Sequence, residues 1–193
     1  MNFCNQCGEK VTLKIPQGDN MPRYVCGSCA TIHYENPKIV AGCIPEWEDK
    51  VLLCKRAIEP RYGLWTLPAG FMENRESTTQ AAMREAMEEA KADVEITSLY
   101  TVFNLIHINQ VYMLFRSRLQ NLDFGAGEES LEVALFEEKD IPWDQLAFPV
   151  VEQTLRYFFK DRAAGQFQAR MGDFQDRQTL LSVSLLDALH TPE

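Results

Sequence analysis

Between residues 39 and 136 the chain is a series of short apolar runs separated by turn signals. "IVAGCI" (39–44) and "VLLCKR" (51–56) flank the turn-like "PEWEDK" and predict a hairpin. "EPRYG" (59–63) reads as a loop, and in "LWTLPAG" (64–70) Pro68 and Gly70 mark irregular backbone. "VEITSLYTVFNL" (94–105), "QVYMLFRSRL" (110–119) and "LEVALF" (131–136) are strand candidates, with the acidic loop "QNLDFGAGEES" (120–130) before the last. "PVVEQTLRYFFKD" (149–161) carries the period of an amphipathic helix. "AAGQFQARMGDFQDRQ" has no readable pattern, and "TLLSVSLLDALH" (179–190) reads as a short helix on the body or at a partner, the body being the first choice. Helical segments set among many strands predict a mixed α/β or α+β fold.

One further helix starts at a signal of its own. Ser77 followed three residues later by Gln80 fits a capping box, so a helix is expected from about Thr78 to about Lys91. At about 100° per residue, Glu85, Glu88 and Glu89 share one sector of roughly 100°. Met83, Ala86, Met87 and Ala90 fall opposite and are expected to face the core. Ala81 and Ala82 lie one turn before the carboxylates and would leave space in front of them.

Composition narrows the class. The 193 residues are 46% hydrophobic and 24% charged, enough for one core and an appendage. The chain shows no apolar run of membrane-spanning length and no secretory leader, so a cytoplasmic protein is the expectation. A net charge of −9 argues against broad nucleic-acid binding. It leaves a phosphorylated small molecule open as substrate, because bound cations invert the local field.

Six cysteines remain. Cys4-x2-Cys7 and Cys26-x2-Cys29 have the spacing of two knuckles closing a four-thiolate zinc site, structural because it is closed. Disulfides are the alternative, disfavoured in a cytosolic chain. A ribbon over residues 1–34 would be too small to stand without its metal. Cys43 and Cys54 sit singly in strands and read as small buried hydrophobes.

The three carboxylates admit two readings. They form either a solvated face, with Arg84 paired to Glu88 at i,i+4, or a site for Mg²⁺ or Mn²⁺, hard cations that take oxygen ligands shared with substrate phosphates. The wider frame favours the second. Gly70, five residues, Glu76, seven residues, then Arg84-Glu85-Ala86-Met87-Glu88-Glu89 resembles the Nudix box of hydrolases acting on nucleoside diphosphates linked to another group. One position departs: Lys91 stands where the family usually has Gly, the residue that ends a helix in left-handed backbone.

The resemblance implies the Nudix α/β/α sandwich with a mixed sheet over about residues 38–161, preceded by the ribbon and followed by an extension (162–193) of unassigned role. It implies hydrolysis of a pyrophosphate linkage into two phosphomonoesters, with Glu85, Glu88 and Glu89 holding the catalytic cations and a backbone carbonyl near Ala69 adding a ligand. Glu76 would brace the loop, and Arg84 would orient its neighbours. A further acidic group comes from a later loop in such enzymes; Glu129 is the choice here, with Glu128 and Glu132 behind it.

"FCNQCGEKV", "ENPKIVAGCI", "GLWTLPAGF" and "IPWDQLAF" are similar to the zinc-ribbon Nudix group that includes the plant chloroplast FAD pyrophosphatase, and less closely to bacterial NADH pyrophosphatase. The resemblance therefore points to a dinucleotide such as FAD, or a nucleotide sugar such as ADP-ribose, with NADH behind. Arg56 and Arg61 are candidates for phosphate contacts, and Tyr62 and Phe71 for stacking; Trp65 is expected in the core. His33 and His107 are read as satisfied loop or surface residues. A non-catalytic binding or regulatory protein on the same scaffold is the alternative, and a homodimer is left open.

Overall fold

The computed structural model describes residues 1–176 and 179–186. Met1–Pro37 forms one compact unit, and the described residues from Lys38 onward form another.

The first unit is a three-stranded antiparallel sheet of β1 (Val11–Lys14), β2 (Arg23–Cys26) and β3 (Ile32–His33) in that order. Its interior is small: Cys4, Val25 and Cys26 are its buried apolar residues. His33, expected in a loop or at the surface, is instead buried in β3, with no hydrogen-bond partner for Nε2.

The second unit is built on a nine-stranded mixed sheet. β4 (Lys38–Trp47) and β5 (Lys50–Arg56) form the expected hairpin, with a turn tighter than the sequence suggests. Two short strands, β6 (Trp65–Thr66) and β7 (Ala69–Phe71), attach to β5 and β4. β8 (Val94–Leu105) and β9 (Gln110–Leu119) make a long antiparallel ladder, and β9 also runs parallel to β4. β10 (Ser130–Phe136) closes one edge against β5. β11 (Arg170–Phe174) runs parallel to β8, and β12 (Leu180–Leu185) closes the other edge. The main order is therefore β10-β5-β4-β9-β8-β11-β12.

Strand side chains alternate between two faces, and two cores result. Helix α1 (Thr78–Ala90) packs its alanines with Cys43, Leu52, Cys54, Phe115 and Leu119. Helix α2 (Pro149–Ala164) packs Val151, Leu155 and Phe158 with Ile44, Val51, Leu53 and Leu114. Neighbours Cys43 and Ile44 thus serve opposite cores, which makes this an α/β/α sandwich. Trp65, Cys43 and Cys54 are buried as expected.

Two further expectations fail. Met83 and Met87 are 38% and 49% exposed, while Ala81, Ala82, Glu85, Ala86, Glu89 and Ala90 form the buried stripe. The helix lies against the sheet through small residues, so the methionines face away and two carboxylates are carried inward. In the C-terminal segment, residues 180–185, expected in a short helix, are a strand, and residues 187–190 lie outside the described residues. β12 is a strand because β11 offers it an open edge to pair with.

That edge is anchored. Arg170 makes two 2.6 Å bonds to the Asp161 carboxylate, and Tyr100 Oη donates to the same group at 2.9 Å. The backbone N–H of Gln168 adds a bond at 3.1 Å. The buried charges are thus fully engaged, as burial requires. Among the described residues, no helix is long and apolar enough to cross a membrane.

Candidate active site

Helix α1 opens with the capping box that its sequence predicts. Ser77 Oγ accepts from Gln80 N at 3.2 Å, and Gln80 Oε1 accepts from Ser77 N at 2.8 Å. It closes at Lys91, whose φ of 49° places a lysine in left-handed backbone. The N–H of Lys91 bonds Met87 O at 2.9 Å, so the helix ends where a Gly would end it, with an L side chain carrying the strain.

Burial of Glu85 and Glu89 follows from this helix placement; they are 8% and 6% exposed. Gly70 of β7 lies against Glu85, and a Cβ there would collide with both carboxylate oxygens. Glu89 Oε2 accepts from Ala69 N at 3.2 Å. Arg84 ties the cluster together: it bonds Glu76 at 2.8 Å, Glu85 at 2.7 Å, Glu88 at 2.9 Å and the Phe71 carbonyl at 3.1 Å. Glu76 also accepts from Glu73 N at 2.6 Å, which pins the turn before the helix.

The electrostatics divide these acids by environment. Desolvation pushes Glu89 up to about 8, only partly opposed by the Ala69 N–H. Desolvation also raises Glu85, although Arg84 opposes it. Arg84 holds Glu76 below the usual carboxylate range. Glu85 and Glu89 are therefore costly as bare anions, and a hard cation would relieve both.

The acidic loop joins them through the end of α1. Gly125 N and Gly127 N donate to Ala90 O at 2.8 Å and Glu89 O at 3.0 Å. Gly127 lies so close to the Glu88 carbonyl that a Cβ would overlap it. This contact carries Glu128 and Glu129 into the same cleft, where the negative charge of Glu129 adds to the upward push on Glu85 and Glu89. Glu132 stands apart on β10, 3.6 Å from Lys55.

The cleft has a volume of about 1040 Å³. Glu85, Glu88, Glu89 and the backbone at Ala69 and Gly70 line one part. Arg56, Arg61 and Phe71 also line it. Arg56 is nearly buried, held by a 2.9 Å bond to Pro60 O and stacked 5.2 Å from the Phe148 ring centre. Tyr62 does not line the cleft and is 57% exposed, because the loop turns between Arg61 and Gly63, both at positive φ. His107, read as an ordinary surface residue, does line it, as do Leu105, Tyr112, Phe148 and Phe174, which sequence reasoning missed. Those residues carry no motif; Leu105, Tyr112 and Phe174 meet through strand register, while His107 comes from the turn after β8 and Phe148 from the start of α2.

In the first unit the four Sγ atoms of Cys4, Cys7, Cys26 and Cys29 all lie within 4.8 Å of one another. Pairs stand 3.5–3.6 Å apart. A tetrahedron with metal–sulfur bonds of about 2.3 Å needs sulfurs about 3.8 Å apart, so the thiols are set for one ion. None of the four is in a disulfide.

A capped helix with buried carboxylates, wedged against glycine backbone in a cleft of a mixed-sheet sandwich, is the arrangement of a phosphate-handling hydrolase. The NUDIX domain model matches residues 36–161, and the Nudix N-terminal zinc-ribbon model matches residues 2–35. The chain belongs to the Nudix family. It is similar to the crystal structure of a Nudix hydrolase from Nitrosomonas europaea, at 58% identity and a TM-score of 0.88, covering 90% of this chain and 99% of that one. It is 27% identical to the ADP-ribose pyrophosphatase of Methanocaldococcus jannaschii, over 75% of this chain and 82% of the relative. It is 37% identical to the NAD-capped RNA hydrolase NudC of Vibrio atlanticus, over 49% of this chain but only 33% of that protein's length.

Proposed function

We propose that the chain hydrolyses the pyrophosphate of a nucleoside diphosphate linked to another group, with Mg²⁺ or Mn²⁺ held by Glu85, Glu88, Glu89 and the Ala69 carbonyl. One observation carries the reading: two buried carboxylates with raised proton affinity share a cleft with Arg56 and Arg61. A solvated helix face would leave Glu85 and Glu89 in water with ordinary acidity. The donor set is all oxygen, which fits hard cations.

Cations held there would supply charge neutralisation at phosphate oxygens and a water of lowered pKa. The chain's own residues do the rest. Arg84 fixes Glu85 and Glu88 so that their oxygens need not reorganise. The Ala69 N–H holds one oxygen of Glu89 and leaves the other for a ligand. Glu129 accepts the proton of the attacking water. Water oxygen joins one phosphorus, the bridging P–O bond breaks, and two phosphomonoesters leave. Arg56 and Arg61, which line the same cleft, would pair with phosphate oxygens of the substrate.

A cleft of about 1040 Å³ suits a dinucleotide or nucleotide sugar better than a lone phosphate ester. The names of two relatives, for ADP-ribose and for NAD-capped RNA, support that class. FAD joins the panel on the segment resemblance. At the four thiolates we place one structural zinc, which supplies the first unit with cohesion its small interior lacks. The test is turnover of FAD, NADH, ADP-ribose and nucleoside triphosphates with Mg²⁺, followed by product chromatography. Equal or faster cleavage of triphosphates would overturn the substrate class. Nucleotide binding without any cleavage would make the protein a binding module.

A further inference from the structure

The Nudix domain match stops at residue 161, yet the cleft does not. Phe174, thirteen residues beyond, lines it at the end of β11. Its place is set by pairing: Phe174 stands opposite Leu105, and Gly172 opposite Phe103. The Phe174 ring meets Phe103 edge-on at 5.3 Å and 78°. Gly172 permits this, since a Cβ there would crowd the Phe103 ring at 3.1 Å and press on Ser182 O. Across the ladder, Tyr112 pairs with Phe103, and its phenol is raised chiefly by desolvation. Leu105 and Tyr112, both partly buried, come from neighbouring strands onto the apolar wall of one recess of the cleft, and Phe174, 4% exposed and packed in the core with Phe103, backs that wall. The Asp161–Arg170–Tyr100 cluster holds β11 at its start, so the wall is fixed rather than loose.

The carboxylates need oxygen-rich, charged partners; this recess offers rings and no charge among those three residues. A substrate that spans both has an anionic middle and a flat, weakly polar end. We propose that Leu105 and Tyr112, backed by the buried ring of Phe174, hold the planar ring of the substrate's nucleoside, and that the segment beyond the matched domain thereby determines specificity. The inference rests on the hydrolase reading for its kinetic arm only. Its binding arm needs no hydrolysis.

The experiment uses the full chain and the variants Phe174→Leu, Phe174→Tyr and Phe174→Ala, with folding checked by thermal melting. Phe174→Leu keeps apolar volume and removes the ring, so it remains informative if Phe174→Ala fails to fold. Titration calorimetry with AMP and with ribose 5-phosphate, which lacks the ring, reads the recess directly. Loss of the backing ring in Phe174→Leu misplaces Tyr112 and weakens AMP binding about tenfold, roughly the worth of one stacked base. Phe174→Tyr keeps wild-type affinity, and ribose 5-phosphate binds all variants alike. With ADP-ribose, KM rises by a similar factor in Phe174→Leu while kcat holds. Unchanged AMP affinity in Phe174→Leu would overturn the proposal, as would equal weakening of AMP and ribose 5-phosphate. A wild type that binds AMP in this ring-dependent way but cleaves nothing would overturn the hydrolase reading and leave the recess standing.

Discussion

Replacing Glu89 with Gln separates a ligand from a surface charge, because the two roles move stability and turnover in different directions. Gln keeps the shape and still accepts the Ala69 N–H that Glu89 Oε2 holds at 3.2 Å. What it removes is a buried charge. In the fold, desolvation pushes the Glu89 carboxyl up to about 8, from an ordinary 4.5. Between those values the folded chain holds a proton that the unfolded chain has released, so rising pH favours unfolding. The stability lost across the window is on the order of 5 kcal/mol when no cation is present. At pH 9 with EDTA, Glu89→Gln should therefore melt on the order of 10 °C above wild type. At pH 5 the two proteins should nearly coincide. Glu85 adds a slope of the same sign to both, and the comparison cancels it. Excess Mg²⁺ should raise wild type more than the variant, by mass action on the folded state. Turnover should fall about a hundredfold or more in the variant, since several kcal/mol of charge stabilisation leaves the reacting phosphates. The assay is a set of thermal melts from pH 5 to 9, with EDTA or Mg²⁺, beside ADP-ribose turnover. Parallel pH slopes, equal Mg²⁺ responses and full turnover in the variant would refute the reasoning together.

Three other outcomes follow from single features. Lys91→Gly removes a left-handed lysine at φ 49° and should stabilise by about 1 kcal/mol, read as a rise in melting temperature with turnover unchanged. Protein purified without added metal should carry one zinc per chain by elemental analysis, and Cys29→Ser should lower that content and increase amide exchange within residues 1–37 more than in the rest of the chain. Asp161→Asn strands Arg170 in a buried site and should cost about 3–5 kcal/mol by denaturant titration; a loss below 1 kcal/mol would show that the cluster is dispensable.

Local rules were enough for some of this molecule. A Ser and a Gln three apart announce the start of α1, and paired Cys-x2-Cys knuckles bring four thiols together, because both depend on residues close in sequence or on a closed ligand count. The inward direction of α1 was not legible. Helical spacing shows that Glu85 and Glu89 share a side, but hydropathy assigns that side to water and gives the core to Met83 and Met87. Tight packing of alanines on the sheet reverses the assignment. β11 and β12 were illegible for a different reason. "RMGDF" has little strand character of its own; it is extended because β8 offers a free edge and Arg170 is clamped by Asp161. Phe174 consequently gave no signal in a segment without a pattern. Tyr62 shows the converse error, an aromatic in a promising loop that two left-handed residues turn outward.

The parallel pairings of the sheet have a kinetic meaning. β4 meets β9, and β8 meets β11, only after long stretches of intervening chain have closed, whereas the β4–β5 and β8–β9 ladders join near neighbours. Loop closure must be completed before such distant contacts reward it, so the hairpins precede the parallel seams during folding. The carboxylate helix leaves β7 and enters β8, between the two hairpins, and on the proposed function its carboxylate-bearing end, the candidate cation site, can form before β11 arrives. The aromatic recess waits for β11. During refolding, affinity for divalent cations should therefore return ahead of affinity for the nucleoside ring, two signals on one chain that would time the arrival of its last strands.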